Sequence, residues 1–170
     1  SSDLFSELAT TCESLDNSIN ALIADPNMVN LEEARSNLFD ARLAYQKCSP
    51  YSSFGPSNSY ALRNELNTFP SDATLIEQNI ASGEFVLGSI SNLDAQGFPA
   101  IEYLLWGANN DAEILNALTN DSSRCDYLTA LSARCQEIAS TVSDEWTSYS
   151  TMYIQQDGTD VGSSLGMVEI

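Results

Sequence analysis

Glu102 is the acid around which any chemistry in this chain would be arranged. It stands in Gly97-Phe98-Pro99-Ala100-Ile101-Glu102-Tyr103-Leu104-Leu105-Trp106-Gly107, a short helix written between two glycines. Pro99 suits the first turn, where a missing N–H costs nothing. Glu102 falls about one turn in, near the positive end of the helix dipole. Ile101, Leu104, Leu105 and Trp106 form an apolar run, and Gly107 is placed to end it in a left-handed cap. A carboxylate in such company caps its own helix, pairs with an arginine such as Arg42 or Arg35, or contacts a guest. Arg42 lies one position off the apolar seam of an earlier helix, within reach of a carboxylate or an anion, although arginines so placed more often keep their heads in water. Tyr45 sits on that seam, where core packing is the favoured role.

The composition removes several chemistries. The chain has no histidine, so it cannot build a Ser–His–Asp triad, a Cys–His pair or an HExxH zinc site from its own residues. Its four cysteines show no CxxC spacing, and without a basic neighbourhood a catalytic thiol is unsupported. Twenty-four acidic residues against six basic ones leave a net charge of −18. That field repels phosphate backbones and anionic headgroups, which argues against nucleic-acid binding. It attracts cations, or serves simply as a solvated coat. With 170 residues and 43% hydrophobic content, the chain can bury a real core. No apolar stretch approaches the roughly twenty residues needed to span a bilayer.

The elements that must position these residues are helical. Leu4, Leu8, Cys12, Leu15, Ile19 and Leu22 mark one face of a helix over residues 3–24. Asp25-Pro26-Asn27 stops it, and Asn30 is placed to cap a second helix to about residue 48, with Glu32 and Glu33 in its first turn. Leu31, Ala34, Leu38, Ala41, Tyr45 and Cys48 form that helix's seam, so the pair reads as an antiparallel hairpin. Residues 49–59 form an ordered loop that must bury Tyr51 and Phe54. Short helices are expected over 60–67 and 73–80, the latter capped by Ser71 or Asp72, while 83–94 is loop or short helix. A further short helix covers 112–118. A long one runs over 124–153, with Cys125, Leu128, Leu131, Cys135, Ile138, Val142, Trp146 and Tyr149 inward. No stretch alternates with period two for long enough to be a central strand, so the class is all-α, an up-down helical bundle. On a continuous last helix, Cys125 and Cys135 lie roughly 15 Å apart and cannot bond to each other. Cys12–Cys48, cross-pairs to the last helix, and four buried thiols all remain open. The tail ends on apolar residues without a stop signal and reads as interrupted.

The segment from Gly97 to Gly107 resembles the signature of the imelysin-like family, a Gly-x-His-x-x-Glu motif followed by an aromatic, two leucines and often Trp-Gly. Other pieces are similar in order and spacing. Arg42-Leu43-Ala44-Tyr45 resembles the family's Arg-x-x-Tyr. Phe54-Gly55-Pro56 resembles its Phe-Gly-Pro loop. Asn67-Thr68-Phe69-Pro70 and Asn79-Ile80-Ala81-Ser82-Gly83 resemble its Asn-x-aromatic-Pro and Asn-Ile-x-x-Gly pieces. Val161-Gly162-Ser163-Ser164-Leu165 resembles a glycine-serine segment opening the second half.

The resemblance implies a pair of four-helix bundles, secreted to the bacterial periplasm or held at the cell surface by a lipid anchor, and linked with iron or haem acquisition. It implies that residues 1–107 form the first bundle and that 108–170 begin the second. The remainder would be a separate chain or a missing segment, with iron- or haem-uptake proteins as further partners. The implied site lies between the bundles, with Gly97, Pro99, Glu102, Arg42 and Tyr45 as ligand-contacting candidates and Glu102 as the one metal candidate. The departure is Pro99, which stands where the motif has histidine. Residues at i and i+3 share a helix face, so histidine and glutamate there would converge on one ion. With proline, as in some members of the family, any iron or other hard cation needs oxygen ligands from elsewhere. The loss also speaks against the family's older metallopeptidase label. The expected role is non-catalytic binding, with a metallopeptidase or an acidic helical scaffold as alternatives.

Overall fold

Apolar residues at three- and four-residue steps commit the start of the chain to two long helices, α1 (Ser2–Ala24) and α2 (Met28–Cys48). The computed structural model describes residues 2–155. Phe5, Leu8, Cys12, Leu15, Ile19 and Leu22 of α1 are fully buried. At about 1.5–3 kcal/mol for each large apolar side chain removed from water, α1 is the axis of the fold. Phe5 takes the first seam position and leaves Leu4 half-buried, a one-residue shift from the sequence pattern. Asn27, rather than Asn30, caps α2: its side chain accepts from the Asn30 N–H at 2.9 Å. Glu32 and Glu33 therefore fall beyond the first turn. Asn30 instead donates its side-chain amide to the Asp25 carbonyl at 2.9 Å, closing the turn between the helices.

The chain then continues in short pieces. They are a 3₁₀ turn (Ser49–Tyr51), α3 (Gly55–Ser59), α4 (Leu62–Leu66), α5 (Ala73–Ser82), a second 3₁₀ turn (Ile90–Ala95), α6 (Gly97–Trp106) and α7 (Asp111–Asn120). Asp72 caps α5 by accepting from the Leu75 N–H at 3.0 Å. The last helix, α8 (Ser122–Gln155), returns along α1. There Trp146 stacks on Phe5 at 4.9 Å, and the Ser132 hydroxyl donates to Asp16 at 2.6 Å. α1 is thus held between α2 and α8, and α6 wedges against both α2 and α8.

Among the described residues there is no strand, and the all-α expectation holds. Residues on both sides of Gly107 feed a single buried cluster. No helix among the described residues is long and apolar enough to cross a membrane. All four cysteines are free thiols, with Cys12, Cys48 and Cys135 buried. The glycine-serine segment at 161–165 lies outside the described residues.

Candidate functional site

The short helix α6 is fixed at its start by backbone geometry. Gly97 has φ +72°, and a Cβ there would stand 2.5 Å from the Leu66 carbonyl oxygen. Only glycine lets α6 begin against the end of α4. The left-handed glycine is therefore at the head of α6. Gly107 at its tail has φ −77°, and a tight fit against the Tyr103 carbonyl explains it. Phe98, Pro99, Ala100 and Ile101 are buried in that first turn.

Beside Gly97 runs a buried polar network that the sequence pattern did not announce. Glu65, buried on α4, takes both Nε and Nη2 of Arg134 at 3.0 and 2.9 Å. Gln96 donates to the same carboxylate at 2.9 Å and accepts from the Gly88 N–H at 2.7 Å. The hydrogen bond that Arg134 donates to Glu65 is the main reason its guanidinium holds its proton still more firmly than usual. One signal was available: Glu65 falls on the apolar face of α4 with Leu62 and Leu66. A second cluster joins Asn79, which donates to Asn92 at 2.6 Å and to the Tyr127 hydroxyl at 3.1 Å. Tyr127 in turn donates to the Ala95 carbonyl. This gives the Asn-Ile-x-x-Gly piece a structural role.

With its base locked in this way, α6 presents Glu102 to α2. Arg42 donates Nη1 to the Glu102 carboxylate, and the side chains keep 33% and 44% of their exposure. Two turns earlier on α2, Arg35 donates Nε and Nη2 to the Leu105 carbonyl at 3.1 and 2.7 Å, capping the end of α6. Its Nη2 also reaches Asp111 at 2.7 Å, and the guanidinium lies 4.8 Å from the centre of the Trp106 ring. That hydrogen bond holds the Asp111 carboxyl below its ordinary range.

Between the two helices lies an open groove of about 390 Å³, lined by Arg35, Leu38, Phe39, Arg42, Leu43, Gln46, Glu102 and Trp106. Its walls are unusually apolar for a surface. Phe39 is 66% exposed, Leu43 44% and Trp106 45%. Two of the chain's six basic residues lie here, each already held by a carboxylate.

The structure therefore brings Arg42 and Glu102 together and places the other candidates elsewhere. Tyr45 is in the core, edge-on to Phe98 at 6.1 Å, and burial raises its phenol. Gly97 and Pro99 are buried and do not line the groove. Arg35 and Trp106 enter the site without having been singled out as contacts for a ligand. Phe39 and Leu43 carried a signal, being apolar residues four apart and off the α2 core seam. A metal ion does not fit the residues present at Glu102. The carboxylate is matched to a guanidinium, and among the described residues no three His, Cys, Asp or Glu side chains gather to hold an ion.

The family model described as Imelysin, labelled a peptidase family, matches residues 3–167. None of the curated proteins matches the chain. A crystal structure of a protein labelled an iron-regulated protein A precursor, from Parabacteroides distasonis, is similar with a TM-score of 0.74 at 22% identity. The alignment covers 86% of this chain and 41% of that one, so the chain spans well under half the length of the protein it resembles.

Proposed function

The chain belongs to the imelysin family, and from that premise we propose that it is the first helical bundle of a non-catalytic, extracytoplasmic binding protein associated with iron uptake. In this reading it is exported to the periplasm or cell surface. The groove between α2 and α6 is half of the binding site, with Arg42 and Glu102 in its lining. The rest of an imelysin-type domain supplies the other wall, as a further segment or a separate chain.

One observation carries the proposal. An ion pair lines a groove together with Phe39, Leu43 and Trp106, apolar side chains that stand open to water. Exposed apolar patches rimmed by polar groups mark surfaces that meet something. The similar structure extends well beyond the stretch this chain matches and is labelled iron-regulated, which supports both the second wall and the association with iron. Because Glu102 alone is no metal site, any bound cation would take its other oxygen ligands from beyond these residues. The peptidase label of the family gains nothing from this chain, which offers no histidine to a zinc ion.

Calorimetric titration of the complete protein with ferric citrate and with haemin tests the reading. Saturable binding of either is the expected result. Absence of heat with both, confirmed by native mass spectrometry, would overturn it.

A further inference from the structure

The lining of the α2–α6 groove narrows what the groove can take. Arg35 and Arg42 stand about two turns apart on α2, and both line it. Each guanidinium charge is already matched, Arg35 by Asp111 at 2.7 Å and Arg42 by Glu102. Among the described residues, the one basic side chain without a carboxylate partner is Arg63. It lines a different pocket, with Ser52, Ser53, Asn58 and Asn64. The groove therefore has no surplus positive charge to set against a polyanion, and the chain's net charge of −18 repels one.

Some capacity to donate hydrogen bonds remains. A guanidinium carries more N–H groups than either arginine uses here. Among the described residues Arg42 spends Nη1 alone, on Glu102. Arg35 spends Nε and Nη2, on the Leu105 carbonyl and Asp111. The rest of the lining is Leu38, Phe39, Leu43, Trp106 and Gln46. Phe39, Leu43 and Trp106 are exposed, so a guest gains most there by taking apolar surface out of water. Pockets that combine apolar lining with a few polar groups hold a ligand by its body and orient it by its polar ends.

We infer that the groove takes iron in an apolar organic complex, a mostly hydrocarbon body bearing carboxylate groups, in preference to a small hydrophilic chelate. This rests on the iron-associated reading above and narrows it to a class of ligand. The hydrocarbon body covers Phe39, Leu43 and Trp106, and a carboxylate accepts from the unspent N–H groups of Arg42 or Arg35. A compact polyanionic chelate leaves the three apolar side chains in water. To gain a full charge pair it must displace Glu102 or Asp111 from its arginine, which sets one attraction against the loss of another.

The test compares the affinities of the complete protein for haemin and for ferric citrate, in the parent and in Phe39→Gln, by titration calorimetry. Phe39 is exposed, so the variant should fold, with circular dichroism as the check. Haemin is expected to bind at least about tenfold more tightly than ferric citrate, and Phe39→Gln to weaken haemin at least about fivefold. Ferric citrate bound as tightly as haemin, or more so, would overturn the inference and leave the iron-associated reading standing. Parent affinity for haemin in folded Phe39→Gln would also overturn it, because the apolar body would then lie elsewhere. Binding of neither ligand would overturn the reading itself and this inference with it. Should Phe39→Gln fail to fold, the two ligands compared in the parent still decide.

Discussion

The Arg42 guanidinium and the Glu102 carboxylate meet across the gap between α2 and α6, joining residues sixty positions apart in the chain. Both side chains keep water contact, so the pair holds little of the fold. Exposed ion pairs are worth about 0–1 kcal/mol. Glu102→Gln should therefore lower unfolding free energy by no more than about 1 kcal/mol, measured by urea denaturation. A much larger loss would make the pair structural and remove the reason to place it in a binding site.

Gly97→Ala should be far more damaging. The new Cβ meets backbone, the Leu66 carbonyl, at 2.5 Å, where no side chain can swing aside. Left-handed strain adds about 1–2 kcal/mol, and parting α6 from α4 should bring the total to at least about 3 kcal/mol. A melting curve superimposable on that of the parent would show that α6 is not anchored there.

Glu65→Ala should also be costly, because it removes the carboxylate that takes two bonds from half-buried Arg134 and one from Gln96. Breaking one side of a buried pair costs about 3–5 kcal/mol. As Arg134 keeps some exposure and a second partner in Glu137, about 3 kcal/mol is the expected loss. Denaturant titration reads it directly, and a loss below about 1 kcal/mol would demote the network to a surface feature.

Alkaline pH should destabilise the protein through its thiols. Burial pushes the thiols of both Cys48 and Cys135 up to about 12 and raises those of Cys12 and Cys125. In the unfolded chain a thiol ionises near 8.5. Between those values the unfolded state has released protons that the folded state retains, so stability is complete below about pH 8.5 and declines as pH rises toward 12. Unfolding free energy measured at pH 7, 9 and 10.5 should fall across the series, and fall less steeply in Cys48→Ala. A flat profile would mean that these thiols are not shielded.

Much of the fold was legible because it rests on helical periodicity. The seams of α1, α2 and α8 follow from three- and four-residue spacing, and polar turns set most of the boundaries. The one-residue shift from Leu4 to Phe5 and the three-residue shift from Asn30 to Asn27 fall where two neighbouring residues of the same chemistry could each serve. The left-handed glycine was expected at Gly107 and lies at Gly97, since periodicity says nothing about which end of α6 approaches another backbone. Arg42 and Glu102 were nameable from the sequence, yet their pairing depends on how α6 packs across α2. Arg35 and Trp106 were harder to see, because a cap supplied from another helix leaves no local pattern. Tyr127 and Arg134 were invisible for the same reason, their partners Asn79 and Glu65 lying 48 and 69 residues away.

The most direct test of the central claim is the affinity of the complete protein for ferric citrate and for haemin, the ligands proposed for the groove, before and after Glu102→Gln, with circular dichroism as a check on the fold. If the groove between α2 and α6 contacts the ligand, affinity should fall at least about tenfold, roughly 1.4 kcal/mol, while the helical spectrum is unchanged. An affinity equal to that of the parent protein would contradict the claim and send the search for the site elsewhere.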